Sequence, residues 1–196
     1  QVLTARSIVI AAGARPLVPP LPGLEDSGYV TSDTLWERFG ELDRAPRRLL
    51  VLGGGPIGCE LAQAFARLGS QVTLVEMAPR LMLREDEDVS EAVRQALQAD
   101  GVDVRTDYQA LRCERDGNDK VLVVQHHGVE QRIVFDELLC ALGRSARLSG
   151  YGLEELGIPT HKTVDTNEYL QTVYPNIYAA GDVAGPYQFT HVASHQ

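Results

Sequence analysis

The stretch Leu49-Leu50-Val51-Leu52-Gly53-Gly54-Gly55-Pro56-Ile57-Gly58-Cys59-Glu60, followed by Val72-Thr73-Leu74-Val75-Glu76, decides how this chain is read. A short apolar run meets Gly-x-Gly-x-x-Gly at Gly53, Gly55 and Gly58. A helical pattern follows, and a second apolar run ends in a carboxylate. That order is what a strand–turn–helix–strand unit for a dinucleotide pyrophosphate requires. Gly53 allows the tight turn, and Gly55 lacks the Cβ that would keep the backbone from the phosphates. Gly58 lets the helix lie close on the strand. Pro56 suits the first helical turn, and the free N–H groups around Ile57 attract an anion. Glu76 falls where a carboxylate can accept hydrogen bonds from an adenosine ribose. The glycines alone are a weak signal; the whole unit in register carries the reading.

Composition narrows the remaining classes. A chain of 196 residues can bury a real core in one or two domains. Hydrophobic residues at 44% and charged residues at 23% are ordinary for a soluble globular protein. The net charge of −9 argues against a general nucleic-acid binder, because phosphate backbones need a basic face. No apolar run approaches the roughly 20 residues that span a bilayer, and Gln1–Arg6 lacks the basic-then-apolar order of a signal peptide. Without an initiator methionine, the chain is expected to be an internal piece. Cys59, Cys113 and Cys140 form no close pair, which leaves no Cys-x-x-Cys centre and fits small buried residues in a reducing cytoplasm.

Working outward, Ser7 to Gly13 reads as a short buried strand ending in a glycine turn. Four prolines between Pro16 and Pro22 exclude helix or central strand there, placing a domain boundary near residue 30. Ser32-Asp33 could cap a short helix through Trp36. Arg48 to Arg105 alternates strand, helix, strand, helix, strand. The first helix carries Ile57, Leu61, Phe65 and Leu68 on one stripe; the second carries Val89, Val93, Ala96 and Leu97. Glu85-Asp86-Glu87-Asp88 is a helix start rather than a metal site. Beyond Arg105 the periodicity changes to short strands with tight turns, an antiparallel meander attached to a parallel sheet. Strand-like pieces follow at Thr163–Asp165 and Ile177–Ala180. His126, His127 and His161 read as surface residues.

The chain resembles the pyridine nucleotide-disulfide oxidoreductases, the flavoprotein family of dihydrolipoamide dehydrogenase, glutathione reductase and mercuric reductase. Four pieces carry the resemblance in the family's order: Ile8–Pro16, with Ala12 in place of a threonine; Gly53 to Glu76; Ala141-Leu142-Gly143-Arg144; and Thr172 to Asp182. Leu81–Asp86 and Tyr187–His191 look most like the mercuric reductase branch. One departure is local: Ser145-Ala146-Arg147-Leu148 stands where the family has Pro-Asn.

The resemblance implies an α/β fold: a Rossmann-like NAD(P)-binding domain with a parallel sheet, helices and a β-meander, flanked by partial FAD-domain segments. Residues 31–148 would be the NAD(P) domain, and 1–30 with 149–196 would belong to the FAD domain. Gly53, Gly55, Pro56, Ile57, Gly58, Glu60, Glu76 and Gly143 would serve NAD(P), with Glu60 near the nicotinamide carboxamide. Ala11, Ala12, Gly13, Gly181, Asp182, Thr190 and His191 would serve FAD, with Asp182 accepting from the ribityl hydroxyls.

The family's first FAD fingerprint, its Cys-x-x-x-x-Cys disulfide and its carboxy-terminal dimerisation domain do not occur in this sequence. The expectation is therefore a nucleotide-binding core, inactive alone and with no catalytic residue of its own, from a homodimeric cytoplasmic enzyme. Hydride would pass from NAD(P)H to flavin and on to a redox disulfide; NAD(H) is expected over NADP(H) because Glu76 repels a 2′-phosphate. A flavin enzyme lacking the disulfide, such as an NADH oxidase or a ferredoxin-reductase-like enzyme, and a non-catalytic NAD(H)-sensing module stay open as alternatives.

Overall fold

A computed structural model describes residues 4–196. In chain order the elements begin with β1 (Ile8–Ile10), β2 (Ala14–Pro16), α1 (Leu24–Ser27), β3 (Val30–Thr31) and α2 (Leu35–Gly40). The central run is β4 (Arg48–Leu52), α3 (Pro56–Arg67), β5 (Gln71–Val75), α4 (Glu87–Ala99) and β6 (Asp103–Arg105). Next come β7 (Gln109–Asp116), β8 (Asp119–His126), β9 (Val129–Phe135), β10 (Glu137–Cys140) and β11 (Arg144–Ala146). The last are β12 (Ile177–Ala179), a 3-10 turn at Gly181–Val183, and α5 (Thr190–His195). The chain divides into two compact units, Pro16–Gly143 and Gln1–Arg15 with Arg144–Gln196.

In Pro16–Gly143 a five-stranded parallel sheet runs in the order β3-β10-β4-β5-β6. Such a sheet is covered on both faces, so its strands read as continuous apolar runs. Period-two alternation then sorts each run. Leu49 and Val51 join Cys59, Ala62, Phe65 and Leu97 beneath α3 and α4. Leu50 and Leu52 join Leu122, Val124, Ile133 and Phe135 of the antiparallel sheet β7-β8-β9 on the other face. The β8–β9 hairpin turns through His127 (φ 49°) and Gly128 (φ 82°), the left-handed pair that a two-residue hairpin needs.

In the other unit, β1 pairs in parallel with β12, in register from Ile8 opposite Ile177 to Ile10 opposite Ala179. Its core comprises Leu153, Ile158, Val164, Ile177, Ala179, Val183 and Ala184.

By compactness the chain divides at Arg15/Pro16 and Gly143/Arg144. Val18, Leu21 and Leu24 pack with Leu50, Leu138 and Phe135, which ties the proline-rich segment to the larger unit. Several expectations are corrected. The short helix starts at Leu35, with Thr34 at its N-cap, and runs on to Gly40. The Thr34 hydroxyl accepts from Thr31 N at 3.0 Å, so it is turned to the preceding strand and not to the helix start.

Ile8 and Val9 are 48% and 61% exposed, not buried, because β12 is the strand beside them and no layer among the described residues covers them. Leu68 and Val89 are exposed too, lying at a helix C-cap and in a first turn, off the packed faces. Ala96 is likewise exposed, leaving Val93 and Leu97 to meet the core from α4. Thr163–Asp165 forms no strand. Val164 N donates to Val183 and Asp165 N to Pro159, so its donors go to different segments and no ladder forms.

Candidate functional site

The carboxyl ends of β10, β4, β5 and β6 meet along one edge of the sheet. Ala141 N donates to Leu52 O (2.8 Å), Gly53 N to Val75 O (2.9 Å) and Glu76 N to Arg105 O (2.9 Å). β4 leads to β5 on one side and has β10 on the other, so chain order reverses at this point. Open α/β sheets form a ligand crevice at that kind of place.

Between β4 and α3 the glycine loop has the shape that its sequence implies. Gly53 has φ 110°, and a Cβ there would lie 2.4 Å from the Ala141 carbonyl oxygen. A Cβ on Gly58 would lie 2.0 Å from the Gly53 carbonyl oxygen, which is how closely α3 rests on the loop. Gly55 is different: nothing lies within 4 Å of its Cβ position. Within α3 the first N–H that bonds back to the loop is that of Cys59, to Gly55 O (2.9 Å). Pro56 has no N–H, and Ile57 and Gly58 lie in the first turn, where N–H groups lack intrahelical acceptors. Open space beside Gly55 and free donors at a helix start fit a pyrophosphate.

Glu76 is half-buried and already engaged. Its Oε2 accepts from Gly54 N at 2.6 Å and its Oε1 from Ala78 N at 2.7 Å. A carboxylate has about four lone-pair sites, so acceptor capacity remains for ribose hydroxyls. Arg80 donates to the carbonyls of Glu85 (2.7 Å) and Leu83 (3.2 Å), which commits it to its own loop. Glu60 is exposed and lines a groove of about 260 Å³ with Pro56, Gln63 and Met82. Gly143 has φ 107°, open space at its Cβ position, and a carbonyl that accepts from Leu17 N at 2.9 Å.

Sequence reasoning missed four residues here. Gly54 occupies an unspecified position of the motif, yet a Cβ on it would lie 2.5 Å from Leu81 Cδ2 and 3.1 Å from Glu76 Cβ. Arg105 and Tyr108 flank Glu76, with Tyr108 N donating to Glu76 O and the Arg105 guanidinium 5.8 Å from the Tyr108 ring centre. His126, expected at the surface, stacks on Tyr108 at 4.3 Å and is half-buried. Only the pairing of strand ends could have revealed these neighbours.

In the smaller unit, Ala180 N donates to Ile10 O (3.0 Å), setting the 3-10 turn beside the Ala11-Ala12-Gly13 segment. Gly13 has φ 68° and open space at its Cβ position. Asp182 lies 3.8 Å from Arg144 Nε, and Gly181 N donates to Gln196 Oε1 at 2.7 Å. Thr190 and His191 are exposed at the start of α5, with the His191 ring stacked on Phe189 at 5.4 Å.

The family model described as pyridine nucleotide-disulphide oxidoreductase matches residues 1–196. The chain belongs to that family. It is 39% identical over 198 residues to a mercuric reductase of Staphylococcus aureus, covering 100% of this chain and 36% of that protein. It is 36% identical over 198 residues to the dihydrolipoyl dehydrogenase of Bacillus subtilis (strain 168), covering 100% and 42%. Among solved structures, the HOCl-induced flavoprotein disulfide reductase RclA from Escherichia coli superposes with a TM-score of 0.84 at 33% identity, covering 95% of this chain and 42% of that one. This family member therefore spans well under half the length of these relatives. The Rossmann-like α/β architecture follows from the same likeness, and no helix among the described residues is long and apolar enough to cross a membrane.

Proposed function

We propose that Pro16–Gly143 binds NAD(P)H and that the smaller unit contributes part of an FAD site in a longer flavoprotein. The observation that carries this reading is the glycine loop at the sheet edge where chain order reverses, open at Gly55 and joined to the Glu76 carboxylate. Gly53, Gly55, Ile57 and Gly58 would cradle the pyrophosphate, and Pro56 would set the helix start. Glu76 would accept from the ribose, while Glu60 and Gly143 would serve the nicotinamide end. Ala11, Ala12, Gly13, Gly181, Asp182, Thr190 and His191 would line the FAD, Asp182 through its carboxylate. FAD, when bound, would supply the means of accepting hydride and relaying electrons to a disulfide. The chain's own thiols supply no such disulfide: Cys59, Cys113 and Cys140 are free and buried.

NAD(H) is favoured over NADP(H). A 2′-phosphate at Glu76 meets like charge, and one or two kcal/mol of net repulsion is about a five- to thirty-fold preference. The commitment of Arg80 to two carbonyls supports this choice, since it removes one candidate for neutralising that phosphate. Titration of the purified chain with NADH and NADPH at one ionic strength tests both statements. We expect tighter NADH binding, a colourless preparation and no NADH-dependent disulfide reduction. Failure to bind either nucleotide overturns the nucleotide reading, and tighter NADPH binding overturns the preference. Stoichiometric flavin or turnover would overturn the assignment of this chain as an incomplete enzyme.

A further inference from the structure

We propose that Glu76 acts twice: besides facing the adenosine ribose, it is a positioning residue that holds the phosphate loop in its binding shape. This rests on the nucleotide reading above. Gly54 is buried, and its N–H donates to Glu76 Oε2 at 2.6 Å. The other carboxylate oxygen accepts from Ala78 N at 2.7 Å, so one side chain ties the glycine loop to the loop after β5. Hydrogen bonds to an ionised carboxylate are about twice as strong as neutral ones, and the lost acceptor would leave a buried N–H unsatisfied.

The tie is reinforced from the other side of the Gly54 peptide. Its carbonyl accepts from Met82 N at 2.8 Å and from the Cys59 thiol at 3.4 Å. Leu81 fills the space that a Gly54 side chain would need, and the Leu81 carbonyl is held by Ser90 Oγ at 2.6 Å. Gly54 is thus fixed at both its N–H and its C=O, and the next residue is Gly55, where the phosphate approaches. Removing the carboxylate releases the N–H side. A carboxylate that served only the ribose would, on removal, relax the choice between nucleotides. A carboxylate that also shapes the loop costs affinity, on removal, even for a ligand that never touches it.

The test separates the roles with an NADH analogue whose adenosine ribose lacks both the 2′ and 3′ hydroxyls. It keeps the pyrophosphate but offers Glu76 nothing to accept from. Wild-type chain, Glu76→Ala and Glu76→Gln are titrated with NADH, NADPH and this analogue. Hydrogen exchange is followed in parallel on a peptide spanning residues 52–58. Glu76→Ala is expected to weaken NADH and the analogue, the analogue by about tenfold, to narrow the gap to NADPH as the like-charge repulsion is lost, and to speed exchange at the loop. Glu76→Gln keeps one carbonyl oxygen, so it should lose less. Should Glu76→Ala fail to fold, the glutamine variant carries the same comparison. Unchanged or tighter analogue binding, or unchanged exchange, overturns the positioning role while leaving the nucleotide reading intact. A wild-type chain that binds none of the three overturns that reading and this proposal with it.

Discussion

Residue by residue, burial decides which side chains are chemically quiet. Desolvation pushes the Cys59 and Cys113 thiols up to about 11 and the Cys140 thiol to about 12, so none is a thiolate near neutrality. Asp136 shows the opposite shift. Arg48 grips it through Nε at 3.0 Å and Nη2 at 2.5 Å, and its backbone N–H adds a bond at 2.9 Å, holding the carboxyl below the usual carboxylate range. A carboxylate whose pKa falls on folding stabilises the fold above its unfolded value of about 3.9 and loses that contribution as pH falls through the lower folded value. Asp136→Asn should therefore melt below wild type between about pH 5 and 7, with the difference closing in more acid solution. Parallel thermal melts across that range check it; a gap that widens in acid would contradict the assignment.

Among the elements, the β4–loop–α3 unit contains glycines that do different work, as their places in the motif imply. Gly58 is a packing residue, since any Cβ would enter the Gly53 carbonyl; Gly55 faces open space and has an extended ψ of −177° that other residues adopt. Gly58→Val should cost about 1–3 kcal/mol or more, as overpacking does, and lower the melting temperature by several degrees. Gly55→Val should fold with little loss of stability and fail to bind NADH. Melting curves with nucleotide titration distinguish the pair. A destabilised Gly55→Val that still binds NADH would reverse the roles given to these residues.

Across the molecule, the two units differ in how well their sheets are covered. In Pro16–Gly143 the strand Arg48–Leu52 lies between helices and meander, with Leu49, Leu50, Val51 and Leu52 all at most 2% exposed. In the other unit β1 and β12 form a two-stranded parallel pair with Ile8 and Val9 in solvent. Two-stranded pairs are marginal without further layers. Amides of Ile8–Ile10 and Ile177–Ala179 should exchange at least about tenfold faster than those of Leu49–Leu52. Equal protection would show that the smaller unit is as cooperative as the larger.

Local order along the chain was enough to read the strand–glycine loop–helix–strand unit. Gly53, Gly55 and Gly58 between apolar runs are a steric and electrostatic pattern written over about 30 consecutive residues, and the meander announced itself by the change in periodicity after Arg105. What sequence could not reach depends on residues far apart in the chain. Nothing in Glu137-Leu138-Leu139-Cys140 says that it pairs with β4, yet that pairing makes the crevice and brings Ala141 against Gly53. Likewise, the Glu76 carboxylate could be placed at a strand end, but its bond to Gly54 required β4 and β5 to be in register. A strand's period says which face a side chain takes. Which strand lies beside it is set by burying both faces of the sheet at once, and only the folded chain does that.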